Sequence, residues 1–209
     1  MASKCFKGMS LFTEAGARKY LSQAERARFL AALEVLATPQ DRSYCEMVFW
    51  TGCRPSEALS LRVEQLDLEE ASVALRSLKK RGDLRGRHYR VVPLPRGFAE
   101  RLDAVHDVGL RQAAGCDAPI WTMSRSTAWR RMHEVMRAAG LSGAKACAKG
   151  LRHSLGVTAA LNHVPETRIK AWLGHASLAT TEIYLDVAAP EDRRLAERMW
   201  HADEADAPT

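Results

Sequence analysis

The stretch Leu173-Gly174-His175-Ala176-Ser177-Leu178-Ala179-Thr180-Thr181-Glu182-Ile183-Tyr184 decides how this chain is read. Gly174 closes a helix, because glycine adopts the left-handed cap conformation at little cost. Ser177 is the expected N-cap of a second helix, which carries Tyr184 about two turns on. A histidine thus sits at a helix junction, and a tyrosine further along folds back towards it. Taken singly, His175 reads as a junction residue and Tyr184 as a packing residue. A tyrosine hydroxyl is a poor nucleophile at neutral pH unless its neighbours prepare it and stabilise the charge it creates. A functional reading therefore requires cations elsewhere, and the sequence offers Arg54 and the segment from Lys149 to Arg152.

Working outward, four motifs occur in order: Thr51-Gly52-Cys53-Arg54-Pro55-Ser56-Glu57, Lys149-Gly150-Leu151-Arg152-His153, Leu173-Gly174-His175 and Tyr184. Together they resemble the catalytic domain of the tyrosine recombinase (phage-integrase-like) family, which is marked by T-G-x-R-x-x-E, [H/K]-x-x-R and L-G-H boxes and a following tyrosine. One such box is weak evidence, and four in order are strong. The resemblance runs from about residue 20 to about residue 190. It implies a mainly α fold with a small antiparallel β-sheet (α+β). It further implies that Arg54 and Arg152 clamp a scissile phosphate, that His175 and Lys149 add hydrogen bonds, and that Tyr184 attacks. Glu57 and His153 are then supporting residues behind this set. The implied product is a 3′-phosphotyrosyl link with a free 5′ hydroxyl, and a second strand's 5′ hydroxyl reverses the step. Since the bond energy is stored in the link, no ATP, metal or other cofactor is implied.

Phosphoryl chemistry explains why these residue types belong together. Attack on phosphorus builds charge on the non-bridging oxygens, and the leaving alkoxide needs a proton. Catalysis therefore rests on positioning and electrostatic stabilisation. Arginine suits the clamp because its guanidinium forks onto oxygens and stays charged at any relevant pH. Two departures from the commonest family pattern stand out. Lys149 occupies a position more often held by histidine; lysine can donate a proton or hydrogen bond but lacks imidazole's near-neutral titration. And Arg54 comes so early that no separate core-binding domain fits before it. The expectation is a stand-alone catalytic domain, as in the small inverting recombinases of fimbrial switches, or a truncated chain.

Length and composition set the outer bounds. A chain of 209 residues usually makes one domain with a sizeable core. The expected division is a flexible lead-in over 1–20, a catalytic domain over 21–188, and a C-terminal helix with an acidic tail over 189–209. Hydrophobic content of 46% and charged content of 27% mark an ordinary globular protein. No apolar run is long enough to span a bilayer, and residues 1–20 lack the apolar core of a signal peptide. Five scattered cysteines without a C-x-x-C pair argue against structural zinc or a disulfide framework, so a reducing cytoplasm is the expected location, and the resemblance implies association with the bacterial nucleoid there. The net charge of +6 is unevenly placed. Between Arg76 and Arg96 eight basic residues face one acid, and between Ser124 and His153 seven face one. From Glu182 to Thr209 eight acids face three arginines. Such a distribution suits a polyanion on one face, although basic runs also serve as plain solvated surface.

Periodicity predicts mostly helices. Ser22-Gln23-Ala24-Glu25 is a capping-box pattern ahead of a stripe of Phe29, Leu30, Leu33 and Leu36. Thr38 and Pro39 start a second helix with Tyr44, Met47, Val48 and Phe49 as core, and it ends at Gly52. Pro55 suits the first turn of the next helix, where Glu57 is placed to bond the Arg54 guanidinium or cap the helix start. Residues 72–94 change to an alternating pattern and read as a β-hairpin. The resemblance implies that a lysine of this hairpin acts as general acid towards the leaving 5′ oxygen. Lys79 and Lys80 both fit; register does not separate them, and Lys79 is preferred. Phe98, Leu102 and Val105 predict a helix over 95–105, and Ser124 caps another running to Ala139 with Trp129, Met132 and Met136 along it. Arg125, Arg130 and Arg131 on that helix, with Arg81, Arg85 and Arg87 of the hairpin, are candidate DNA contacts, and a solvated surface is the equally cheap reading. Lys149 and Arg152 share one helix face, while Leu151, Leu155 and Ala159 bury the other.

Three functions fit this pattern. The first is a site-specific recombinase acting on double-stranded DNA as a homo-oligomer, a tetramer in the synaptic complex, with no membrane involved. The second is an accessory DNA-binding protein that keeps the fold without cutting. The third is DNA relaxation of the type IB topoisomerase kind. Leu195 and Trp200 are candidate apolar anchors for docking the C-terminal segment on a neighbouring protomer.

Overall fold

A computed structural model describes residues 10–77, 88–175 and 177–184. Among them the chain forms nine α-helices and a three-stranded sheet, as the α+β reading expects. The helices are α1 (Gln23–Ala31), α2 (Pro39–Thr51), α3 (Pro55–Leu59), α4 (Arg96–His106), α5 (Val108–Ala113), α6 (Arg125–Ala138), α7 (Ala148–Leu161), α8 (Glu166–Leu173) and α9 (Ala179–Glu182). The strands are β1 (Leu66–Asp67), β2 (Ser72–Arg76) and β3 (Tyr89–Pro93). No described helix is long and apolar enough to cross a membrane.

Local signals place most boundaries. Ser22 and Glu25 close a reciprocal capping box at α1. Thr38 accepts from the Asp41 amide with Pro39 at the first turn of α2, and Gly52 ends α2 at a φ of 59°. Ser124 caps α6 through the Thr127 amide. β2 and β3 pair antiparallel as the hairpin reading requires, with Val73 opposite Val92 and Leu75 opposite Arg90. Residues 78–87 between them, including Lys79, Lys80, Arg81, Arg85 and Arg87, lie outside the described residues. So do residues 185–209, with Leu195 and Trp200.

The core is built around α2, which packs against α7, α4 and α6. Phe29 and Phe49 stack at 5.5 Å between ring centres, and Tyr44 meets Trp121 edge-on at 5.8 Å. A second, smaller cluster joins Leu11, Tyr20, Val157, Ile169, Leu173 and Tyr184. Residues 10–20, which fall in the expected lead-in, contribute Leu11 and Tyr20 to that cluster. Phe12 bridges Arg18, and Leu11 and Tyr20 are buried because their apolar surface covers α7 and α8. On α6 Met132 and Met136 are buried and Trp129 is 61% exposed. Two differences from the sequence reading have simple causes. The second helix of the 173–184 stretch is a short turn that starts beyond Ser177, whose hydroxyl meets Thr180 Oγ1 instead of capping. And α5 and β1 form where the sequence offers too few residues for a periodicity to show.

One glycine requirement bears on the site. A Cβ at Gly150 would sit 1.9 Å from the Lys145 carbonyl oxygen. The turn before α7 therefore presses directly on the helix between Lys149 and Arg152, and no side chain can stand there.

Candidate active site

The site assembles where the start of α3, the middle of α7 and the end of α8 meet. Arg54 is the residue before Pro55, in extended conformation, so its side chain projects from the helix start. Glu57, one turn on and only 1% exposed, accepts from the Arg54 amide through Oε2 at 2.9 Å and from Arg54 Nη1 through Oε1 at 2.7 Å. It does both jobs that the sequence allowed. Its carboxyl is held below the ordinary value: burial opposes this, but hydrogen bonds and charge from Arg90 and Arg54 prevail.

Arg152 crosses between the other two elements. Its Nη1 donates to the Gly52 carbonyl at 2.9 Å and its Nη2 to the Leu173 carbonyl. Both acceptors are carbonyls at helix ends, where the backbone lacks internal partners and carries partial negative charge. Two of the five N–H groups are thereby used, which leaves three for an incoming anion. Burial, reinforced by Arg54, pulls this guanidinium down to about 10, and it remains a cation at neutral pH.

His175 follows Gly174, which has a φ of 65° and caps α8 as the sequence predicts. The imidazole Nδ1 lies 3.0 Å from Thr181 Oγ1. Its Nε2 is buried and finds no partner among the described residues. Tyr184 stacks on His175, with ring centres 6.0 Å apart and planes 20° from parallel. The tyrosine is 1% exposed, and its hydroxyl meets His153 Nδ1 at 3.2 Å. Gly156 makes this seat: a Cβ there would lie 2.5 Å from Tyr184 Cζ. Burial pushes the phenol up to about 12, against the pull of Arg152. In this arrangement the Tyr184 hydroxyl is neutral and sheltered from solvent.

The structure thus brings Arg54, Glu57, Arg152, His153, His175 and Tyr184 into one connected site. Lys149 is exposed on the first turn of α7, and its charge disfavours protonation of His153. Arg125 and Arg130 are exposed on α6; Arg131 is ion-paired with Asp41 at 2.8 Å and Glu134 at 3.2 Å. Arg90, Thr181 and Gly156 escaped the sequence reading. For Arg90 a signal was present, since it lies in phase with buried Val92 on an alternating strand.

The two site histidines, with His106 bonded to Ser43 at 2.8 Å, predict an acid-labile fold. Burial, aided by nearby cations, lowers His153 to about 4 and His175 to about 3; burial, then Arg111, lowers His106 to about 4. The unfolded chain therefore binds more protons than the folded one between pH 6.5 and about 4. Stability is full above that window and falls as pH drops through it. His153 and His106 together cost roughly 6 kcal/mol by pH 4. Urea midpoints at pH 7, 5.5 and 4.5 should fall in that order; a flat profile would contradict neutral, buried imidazoles.

Comparison with known proteins fixes the family. The profile of the phage integrase family matches residues 19–191. The chain belongs to the phage integrase family. It is 32% identical over 157 residues to tyrosine recombinase XerD of Mycobacterium tuberculosis, covering 70% of this chain and 48% of that one. It is 28% identical over 168 residues to tyrosine recombinase XerA of Pyrococcus furiosus, covering 76% and 54%. The chain thus spans about half the length of these curated relatives. Among solved structures, a XerA recombinase matches with a TM-score of 0.67 at 24% identity, covering 86% of this chain and 64% of that one. The catalytic domain of bacteriophage HP1 integrase matches with a TM-score of 0.62 at 19% identity, covering 86% and 93%. XerH site-specific recombinase bound to a palindromic difH substrate matches with a TM-score of 0.70 at 20% identity, covering 94% and 58%. These likenesses establish the phage integrase fold for the described elements.

Proposed function

We propose that this phage integrase family member is a site-specific recombinase that cuts and rejoins double-stranded DNA through a 3′-phosphotyrosyl intermediate. The observation that carries the reading is the junction at Arg152, whose guanidinium joins the Arg54 loop to the end of α8, two residues before His175. The Tyr184 oxygen forms a bond to phosphorus as the bond to the 5′ oxygen breaks, and the hydroxyl proton passes to water at the site. Arg54, Arg152 and the unpartnered His175 Nε2 face the charge that builds on the non-bridging oxygens. The departing 5′ oxygen takes a proton from Lys79 or Lys80 of the hairpin, and Lys149 supplies a further hydrogen bond. Rejoining runs the same steps backwards with another strand's 5′ hydroxyl, so no external energy source or metal enters. For attack, Tyr184 leaves its seat on Gly156 and turns towards the clamp. Arg125, Arg130, Arg131, Arg81, Arg85 and Arg87 serve the flanking duplex as backbone contacts.

The test is covalent trapping on a nicked duplex that carries the element's own end sequence. An SDS-resistant adduct that needs Tyr184 supports the reading. Tight binding at a verified site without adduct would favour the accessory DNA-binding function instead, a role compatible with the sheltered hydroxyl.

The same proposal includes a tetramer on two DNA sites, acting in the cytoplasm at the nucleoid. Residues 190–209, with Leu195 and Trp200, dock on the neighbouring protomer. Their deletion should weaken assembly at least tenfold more than single-site binding. Equal losses in gel-shift and crosslinking assays would sink the docking role.

A further inference from the structure

Arg90 projects inward from β3, only 8% exposed, and all three of its guanidinium nitrogens are engaged. Nη2 donates to Glu57 Oε2 at 2.6 Å, Nε donates to the Trp172 carbonyl at 2.8 Å, and Nη1 reaches Ser77 Oγ at 3.5 Å. Its stem lies along the backbone of Gly174, where a Cβ would stand 3.1 Å from Arg90 Cδ. Each of these partners adjoins a different part of the site. Glu57 holds Arg54, Trp172 and Gly174 lead into His175, and Ser77 is the residue that follows β2.

The division of the Glu57 carboxylate is the telling feature. Oε1 takes Arg54 Nη1, while Oε2 takes the Arg54 amide and Arg90 Nη2. A carboxylate and a guanidinium left to themselves favour the two-bond, fork-to-fork pair. Such a pair would turn the Arg54 fork inward onto Glu57. With Arg90 on Oε2, Arg54 is gripped through one side-chain nitrogen, and its Nε and Nη2 have no partner among the described residues. Two guanidinium groups on one carboxylate also leave the cluster net positive, which suits an anion.

We propose that Arg90 is a positioning residue for the phosphate clamp: it occupies Glu57 Oε2 and the Trp172 carbonyl, so that the Arg54 fork faces outward in register with His175. The role rests on the strand-cleavage reading above. It concerns a residue that need not touch DNA, and it makes β3 a working part of the site.

The experiment measures single-turnover adduct formation at saturating nicked duplex, alongside the dissociation constant for the same DNA. Arg90→Met should slow cleavage by about 30-fold while binding changes less than about threefold, the signature of misplacement without lost affinity. Arg90→Lys, which keeps a charge on Oε2 but cannot also reach Trp172, should recover part of the rate. A merely structural residue would not slow cleavage while leaving affinity unchanged. Combined with Arg54→Lys, Arg90→Met should add little further loss, because both act through one fork. Wild-type cleavage by Arg90→Met, or losses that multiply fully in the double variant, would overturn the role while leaving the recombinase reading in place. If Arg90→Met does not fold, Arg90→Lys carries the test alone: a wild-type rate overturns the role, and a slowed rate at unchanged affinity supports it. A wild-type chain without adduct overturns the recombinase reading and this role with it.

Discussion

Tyr184→Phe yields a chain that folds and binds DNA but forms no covalent adduct. The substitution removes one oxygen. The ring still fills the space above Gly156 and still stacks on His175. What the fold loses is the contact between the hydroxyl and His153 Nδ1. A single buried, neutral hydrogen bond of this kind is worth about 1 kcal/mol, with a similar further cost for leaving the imidazole nitrogen unpaired. The melting temperature should therefore fall by only a few degrees, roughly 2–8 °C. Chemistry is another matter, because phenylalanine has no atom that can bond phosphorus. Adduct on a nicked duplex should drop below detection while the gel shift keeps its midpoint within about threefold of wild type. Residual adduct at a tenth of the wild-type level would show that another residue attacks, and Tyr184 would revert to a packing residue.

Arg152 gives the second large effect, and here stability and chemistry fall together. Arg152→Ala strips the partners from the Gly52 and Leu173 carbonyls at once. Each is a helix-end acceptor that water reaches poorly, so the expected cost is about 2–4 kcal/mol. Cleavage should fall by about 10³-fold or more, as when a central charge-stabilising donor is removed. Arg152→Lys separates the two effects. An ammonium can satisfy one carbonyl and keep the charge, recovering roughly half the lost stability, but it cannot fork between helix end and phosphate. Its cleavage should stay at least about 10²-fold below wild type. Paired urea denaturation and single-turnover cleavage would show this, and a Lys variant that cleaves normally would remove Arg152 from the phosphate clamp.

The sequence carried the site further than the fold around it. Boxes made of contiguous residues were readable because each has a local cause. Gly52 and Gly174 must take positive φ, and Glu57 lies one turn after Arg54. The β2–β3 pairing showed in the alternation of Val73, Leu75 and Val92. Contacts between distant segments were not readable in the same way. Nothing local says that Leu11 and Tyr20 cover α7 and α8, or that Gly156 is a seat for the Tyr184 ring, 28 residues further along the chain. Arg90 lies between these cases. Its phase on the strand gave the inward direction, but its partner Glu57 belongs to a helix start that no periodicity links to β3.

Arg152 also ties the site to the order in which the molecule takes shape. Its two carbonyl bonds close loops of 100 and 21 residues. Contacts of such separation come late, since their closure entropy must be met before they stabilise anything. On the proposed reading, a fragment that ends before residue 173 lacks the Leu173 carbonyl, His175 and Tyr184, so it should form no adduct with DNA.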